Sequence, residues 1–513
     1  PVELDGGPGP VRIAGYAGGP ELLGAIEGGA SGTWRLCALP GEQRGELICE
    51  LVAAAGRARS GAALVAVPEV RYGSDVLARV GSVWPDIARV DTARPDSERA
   101  SAWLRMAAGH GLAGGGRATV FVPAPELRLI VIDEEHHPTY KEDRAPRYDA
   151  RRVAVERARL QGAVCVLISS TPSLEVGAAP FHVVEPSAEA RRATRPVIEL
   201  IPAAPGRAIS RSVHVRLRDA LQSGARAAVL VPRRGYARTL WCADCRRSVR
   251  CSRCEAGVSY ERDGRRTRCP RCGLVAAAPE ACPSCGAREL LYLGAGSERL
   301  TEQIALAFPR ASVRRVDPAT VELDPADGPP DIYVTTWVGT KPELRPEVSL
   351  VVVLEADALI RRPDFRSAEL AYQAFQEMAS WAGPATRGGR LVIETSEPNH
   401  HAVQAVVRAD DGFFFDRELE HRRELGYPPF AELVTVRASG DEMESAIARA
   451  AEACRAAGGR ILGPMPVTAS RGGERALEIL VKCTDAGPIA DALRGILADT
   501  PARTNVRVDV DPR

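Results

Sequence analysis

Four C-x2-C pairs fall between residues 242 and 285: Cys242/Cys245, Cys251/Cys254, Cys269/Cys272 and Cys282/Cys285. Two thiolates three positions apart on a tight turn grip one face of a tetrahedral ion, and a second such knuckle completes the four sulfur ligands of structural zinc. Four knuckles therefore imply two ions, and three pairings are open. The middle knuckles are separated by "EAGVSYERDGRRTR", room for a β-hairpin and close to zinc-ribbon spacing. Pairing the first two across "RRSVR" would be cramped. The nested arrangement is the expectation: Cys251, Cys254, Cys269 and Cys272 hold one zinc, and Cys242, Cys245, Cys282 and Cys285 hold the other. Iron–sulfur ligation is the alternative. With no histidine, carboxylate or vacant position in either set, the metal is expected to be structural rather than hydrolytic.

The same clustering points to metal in a reducing compartment rather than to a disulfide framework, so a cytoplasmic location is expected. The remaining cysteines (Cys37, Cys49, Cys165, Cys454 and Cys483) stand alone and are expected to be buried fillers. The apolar runs "RLIVI" and "SLVVVL" are far too short to span a bilayer, so no membrane partner is expected. The chain begins at Pro1, and whatever precedes it is set aside.

Around this insert runs a βα rhythm. "AALVAVPEV" (62–70), "RATVFVP" (117–123), "LRLIVIDEE" (127–135) and "AVCVLISS" (163–170) read as buried strands, separated by helical stretches such as "GELICELVAAAGRA" and "DARRVAVERARLQ". That alternation predicts a parallel sheet with helices on both faces. The rhythm restarts near 213 with "VRLRDALQSG", "AAVLVP", "DIYVTT", "SLVVVLEAD" and "RLVIETS". After about 419 it changes to a strand–helix–strand order ("YPPFAELVTVRASG", "EMESAIARAAEACRAAG", "RALEILVKC", "NVRVDVDP"), which suggests a small α+β domain. The expected boundaries are 1–205 for a first α/β lobe, 206–234 for the start of a second, and 235–293 for the cysteine insert. The second lobe then resumes over 294–418 and the C-terminal domain occupies 419–513.

Ligands of such sheets bind beyond the carboxyl ends of the strands, and there the chain places Asp133, Glu134, Glu135 and His136. A carboxylate pair at this position holds magnesium beside ATP in nucleotide-driven motors. The insert offers a second functional signal. From Arg233 to Arg288 there are thirteen arginines against five acidic residues, an excess that survives two zinc–tetrathiolate centres. Tyr236, Trp241 and Tyr260 are interleaved with them. Arginines supply phosphate contacts and aromatic faces stack on unpaired bases, so single strands or junctions are expected ligands.

These residues together resemble the primosomal replication-restart helicase family. The resemblance runs from about residue 30 to the end, through "VPEV" (67–70), "DEEHHPTYKEDRAPRYDARRVAVERA" (133–158) and "SSTPSLE" (169–175). It continues in "RRGYA" (233–237), the four-knuckle insert, "DFR" (364–366), "LGYPPF" (425–430), "LGPMP" (462–466) and the closing "DVDP". It implies an α/β fold of two RecA-like lobes, a zinc-binding insert in the second lobe and a small α+β C-terminal domain. It also implies fork binding and reloading of the replicative helicase with primosome proteins, by a chain expected to be monomeric. The family's N-terminal domain, which holds a DNA 3′ end, is not evident here.

Members of the family carry a phosphate-gripping loop, G-x-T-G-S-G-K-T-E, whose counterpart is "ALPGEQRGELICEL" (38–51). Gly41 remains, but Gln43 replaces the middle glycine, Arg44 the lysine and Gly45 the magnesium-binding threonine. The chemistry needs backbone amides wrapped around phosphate, a compact ammonium and a hydroxyl on magnesium. None of the three lysines, Lys141, Lys341 and Lys482, lies in a replacement loop. In "EMASWAGP" (377–384), Trp381 and Pro384 stand at the family's two arginine positions, and Pro342 replaces a glycine.

ATP and magnesium are accordingly doubtful cofactors, Gly41, Arg44 and Gly45 a degenerate nucleotide site, and Asp133 to His136 a remnant without catalytic assignment. The expected activity is that of a DNA-binding restart scaffold. Its candidate DNA contacts are Arg246, Arg247, Arg250, Arg265 and Arg266 of the insert, with Tyr140, Lys141, Arg147 and Tyr148. A divergent but active ATP-dependent 3′→5′ helicase is the competing reading, and a regulator that binds nucleotide without hydrolysing it is the third.

Overall fold

A computed structural model describes the chain except residues 1–3, 5–6, 58–60, 69, 71–73, 204–208, 232–236, 243, 246, 254–256, 262–263, 270–272, 296, 317–327, 337–346, 363, 469–474, 502 and 513. Cys254, Cys272, Tyr236, Arg246, Lys341 and Pro342, and most of "RRGYA", thus lie outside the described residues. The chain divides into two compact units, the first being Pro1–Arg195 with Pro384–Thr386, the second Pro196–Gly383 with Arg387–Pro512.

The first unit is built on seven parallel strands: β1 (Gly32–Cys37), β2 (Ala62–Ala66), β3 (Ala88–Arg89), β4 (Leu112–Gly115), β5 (Leu127–Ile132), β6 (Val164–Ser169) and β7 (His182–Val184). Their spatial order is β3-β4-β2-β5-β6-β1-β7. A central strand of such a sheet must be apolar on both faces, because helices cover both. In β5, Leu129 and Val131 enter the core on one face while Ile130 and Ile132 enter the other, as the two-residue repeat of a strand requires.

The segment 117–123, read from its β-branched residues as a strand, is instead a 3-10 turn at Arg117–Phe121. The strand is the unpromising "LAGG" just before it. A Cβ at Gly114 would come within 2.8 Å of Leu77 Cδ2 and Ile87 Cδ1, so close packing demands glycine where strand propensity disfavours it. Val120 and Val122 are still buried, from the turn rather than from the sheet.

The second unit holds six parallel strands, β8 (Val197–Pro202), β9 (Ala227–Val231), β15 (Val313–Val316), β16 (Ile332–Thr336), β17 (Leu350–Val353) and β18 (Arg390–Thr395), in the order β15-β16-β9-β17-β18-β8. Strand β8 falls within the span expected for the first lobe, yet it pairs with β18 along its whole length. Between β9 and β15 the chain leaves to form an antiparallel insert sheet of β10 (Ala237–Cys242), β11 (Ser259–Glu261), β12 (Arg266–Arg268), β13 (Val275–Ala277) and β14 (Leu290–Ala295).

The C-terminal sheet, β20-β21-β19-β22, consists of β19 (Glu432–Gly440), β20 (Arg460–Thr468), β21 (Arg475–Cys483) and β22 (Thr504–Val510). Helices Met443–Ala456 and Ala486–Ala498 share its core. The chain order is the split β-α-β-β-α-β unit; β20 and the second helix had no sequence counterpart in the strand–helix–strand pattern. The "DFR" and "LGYPPF" motifs meet beside this domain: the rings of Phe365 and Tyr427 stack at 4.7 Å with 2° between their planes, and Lys482 Nζ lies 3.3 Å from the Tyr427 ring centre. No helix among the described residues is long and apolar enough to cross a membrane.

Candidate functional site

In the first unit, β1 runs into the loop 38–43 and then into the helix Arg44–Arg57. Strand β5 ends at Ile132, and the Asp133 amide continues the ladder by donating to the Ala66 carbonyl at 2.9 Å. Asp133 and Glu134 therefore emerge buried, and Glu134 takes a positive φ of 46°. Two buried carboxylates need a cation. The chain supplies Arg44, whose Nε lies 2.7 Å from Asp133 Oδ1 and whose Nη2 lies 2.7 Å from Glu134 Oε1. Burial, against the opposing pull of Arg44, still raises the Asp133 carboxyl to about 6.

The loop itself is occupied by a second internal charge. The Glu42 carboxylate accepts the Leu39 N–H at 3.1 Å and the Tyr16 hydroxyl. Gly41 turns the chain with φ of 76°. At Gly45 an added Cβ would stand 2.8 Å from Arg79 Cβ, and Arg79 is held there by its Nε bond to Glu46 Oε1 at 2.8 Å. A threonine hydroxyl is thus missing from the sequence and also excluded by the packing.

A magnesium–nucleotide pair does not fit this arrangement. The carboxylates that would face the metal are engaged by a guanidinium, a loop amide is engaged by a carboxylate, and no hydroxyl stands at position 45. In the second unit Trp381, at one family arginine position, is buried, and its indole donates to Glu377 Oε1 at 3.0 Å.

The other half of the "DEEH" turn is tied to "SSTPS". Glu135 accepts the Ser173 amide at 2.6 Å and the Ser173 hydroxyl at 2.8 Å. Arg151 bridges Glu135 at 3.2 Å and Asp149 at 2.8 Å. His136 Nδ1 is 2.8 Å from Ser169 Oγ, and burial, with the Arg44 and Arg151 charges nearby, pushes its imidazole down to about 3, so it is neutral near pH 7.

Two proposed DNA contacts in this unit are corrected. Tyr140 is fully buried, with its hydroxyl 2.5 Å from the Asp133 carbonyl, so its ring supports the turn and has no free face for a base. Lys141 is also buried. Arg147 and Tyr148 are half-buried, and Tyr148 packs edge-on against Phe121 at 4.7 Å.

In the insert, Cys242, Cys245, Cys282 and Cys285 converge, with all four sulfurs within 4.8 Å of one another. The Cys242–Cys285 and Cys245–Cys282 sulfur separations are 3.5 and 3.6 Å. These are close to the edge of a zinc–thiolate tetrahedron, about 3.8 Å, and far from a disulfide bond. This set fits a metal ion, for which zinc is the natural choice. Of the inner set, Cys251 and Cys269 are buried and their partners are outside the described residues.

The insert's charges are distributed unevenly. Arg247, Arg250 and Arg265 are exposed, Arg265 with a positive φ of 45°. Arg266 and Arg268 share the Glu261 carboxylate at 2.9 and 2.6 Å. Tyr260 belongs to the insert's small core, leaving Trp241, half-buried, as the accessible aromatic among the described residues. The functional residues the sequence reading missed are Glu42 and Arg79. An acidic residue inside a phosphate-loop counterpart was the available signal for the first, and none marked the second.

Two parallel-sheet units, the second carrying a cysteine-rich insert and an α+β C-terminal domain, make up the chain. Residues 423–513 match the Primosomal protein N C-terminal domain, and the chain is a relative of the replication restart proteins PriA. It is 30% identical to PriA of Bacillus subtilis over 429 residues, 78% of this chain and 53% of that protein. With PriA of Synechocystis it shares 28% over 497 residues, 88% of this chain and 58% of the relative. With PriA of Treponema pallidum the identity is 29% over 480 residues, 89% of this chain and 73% of the relative. The chain thus spans about half the length of the first of these. Among solved structures, a DEAD box protein from Methanococcus jannaschii aligns at a TM-score of 0.36 and 8% identity, covering 76% of this chain and 89% of that one.

Three outcomes follow from this geometry. Arg44→Ala strands two buried carboxylates and should cost roughly 3 kcal/mol in thermal or denaturant melts; adding Asp133→Asn and Glu134→Gln should recover most of that loss. Gly45→Thr should destabilise by about 1–3 kcal/mol through overpacking on Arg79. Cys282→Ser should lower the bound zinc by one equivalent in a chromophoric release assay, while leaving the first unit's melting unchanged.

Proposed function

We propose that the chain is a DNA-binding component of replication restart. It recognises abandoned or stalled forks, or their single strands, and acts as a monomer with primosome proteins to promote reloading of the replicative helicase, without ATP-driven unwinding. Its relatives' names support the process, and such a role places it in the cytoplasm at the nucleoid. The observation that carries the mechanism is the Arg44 fork on Asp133 and Glu134. A guanidinium fixed at both carboxylates opposes a divalent cation there, and the acidic Glu42 repels phosphate from the loop amides.

In this reading two structural zincs hold the insert, one on the outer cysteines and one on Cys251, Cys254, Cys269 and Cys272. Arg247, Arg250 and Arg265 supply phosphate contacts, with Arg246 in the same stretch of sequence. Arg266, already shared with Arg268 on Glu261, contributes less.

A second reading, an active ATP-dependent 3′→5′ helicase, is favoured by the intact network from Glu135 and His136 to Ser173 and Ser169. Phosphate release from ATP in the presence of forked DNA separates the two. We expect no release above an Asp133→Asn control; brisk DNA-stimulated turnover that the control lacks would establish the helicase.

For DNA, charge reversal at Arg265 and Arg266 should weaken fork binding and flatten its salt dependence, by about 0.7–0.9 in log–log slope for each phosphate no longer neutralised. An unchanged slope would remove this hairpin from the interface.

A further inference from the structure

Away from the sheet end and the cysteine cluster, one group of side chains has the composition and convergence of a metal site. His401 opens the helix His401–Arg408, and Glu418 and His421 lie one turn apart on the helix Asp411–Leu425. The spacing of three puts Glu418 and His421 on the same face. His401 Nε2 is 3.0 Å from Glu418 Oε2, the two imidazoles meet edge-on with ring centres 5.3 Å apart, and one ligand atom from each residue lies within 4.8 Å of the others.

We propose that His401, Glu418 and His421 form a site for a zinc-class divalent cation that clips these two helices together. Two imidazole nitrogens and one carboxylate oxygen form a donor set suited to zinc. Around such an ion the donors stand about 3.3 Å apart. The His401–Glu418 pair is already at that spacing, so closure needs only a movement of His421, which is exposed and has room to turn. The exposed side also leaves the fourth position to water.

The supporting contacts are those of a metal centre rather than of an isolated ion pair. Arg422 Nε donates to the other Glu418 oxygen at 3.1 Å, and Arg422 is itself anchored on Glu369 at 2.6 Å. That leaves Glu418 Oε2 directed at the imidazoles. The His401 ring is stacked on Phe414, which fixes its plane. Outer partners of this kind orient ligands and raise metal affinity. The clip would join the last helix of the second α/β lobe to the helix that leads into the C-terminal domain.

The test uses the full chain with its cysteine sites filled with zinc. Zn²⁺ is titrated against a chromophoric chelator of micromolar affinity, for the unaltered chain and for His421→Ala and His401→Gln. We expect one further equivalent in the unaltered chain, lost in both variants, and a zinc-dependent rise in melting temperature that the variants lack. His421 is exposed, so its variant should fold, and a circular dichroism spectrum checks this. If His421→Ala takes up the same number of equivalents at the same affinity, the site is overturned and His401 and Glu418 are an ion pair alone. The absence of any further equivalent in the unaltered chain would overturn it equally.

Discussion

A carboxylate carried into the interior on the end of a buried strand must meet a cation, be protonated or coordinate a metal. Strand β5 delivers Asp133 and Glu134 to such a place, and Arg44 meets both. The position of the helix Arg44–Arg57, the course of the loop before it and the conformation of the "DEEH" turn are all bound to that one contact. The pairing does not make the site a source of stability. Asp133 still titrates at about 6, above the usual carboxylate range, so burial outweighs the attraction of the guanidinium. The pair is better understood as compensation for charges that the strand geometry imposes.

Glu42 extends the same logic to the loop. Loop amides that no backbone carbonyl meets seek another acceptor. Here Leu39 N–H finds the carboxylate of Glu42 three residues later, and the Tyr16 hydroxyl also donates to that carboxylate. Arg44 lies against the carboxylates and Glu42 against a loop amide, each where a magnesium–nucleotide complex would bring a charge of the same sign. The two contacts are alike in kind, because each supplies from within the chain a partner for a group the fold would otherwise leave unpaired.

Much of this was legible in the sequence, and the limits have physical causes. Strands buried on both faces announce themselves as apolar runs, so β6, β9 and β18 were found to within a residue at each end, while the readings of β5 and β17 ran past the strand ends into the acidic turns that follow. Strand β4 was not, because its composition answers to the side chains of Leu77 and Ile87 packed on it rather than to strand propensity. Strand β8 carries no mark of which sheet it joins; only its pairing with β18 decides that. The outer cysteine set followed from nesting it around inner knuckles of zinc-ribbon spacing, and the fold brings its four sulfurs together. Tyr140 misled because an aromatic beside a lysine in a basic stretch reads the same whether it faces solvent or, as here, hydrogen-bonds the backbone of the turn it follows. The identity of Arg44 was visible; its partner depended on the fold.

The retained half of the turn sharpens the contrast. Glu135, Ser173, Arg151 and Asp149 are buried and bonded to one another, and His136 is neutral against Ser169. That set needs no ligand to be satisfied, so it can persist whether or not the neighbouring carboxylates hold a metal. Retention of the "DEEH" and "SSTPS" strings is therefore weak evidence for nucleotide chemistry, since burial and hydrogen bonding alone account for Glu135, His136 and Ser173. The informative positions are those whose partners changed. A lysine at position 44 would still leave Arg79 beside Gly45 and Glu42 on the Leu39 amide. Glu42, Arg44 and Arg79 hold the loop and the start of the helix through separate contacts, and a single substitution leaves the others in place.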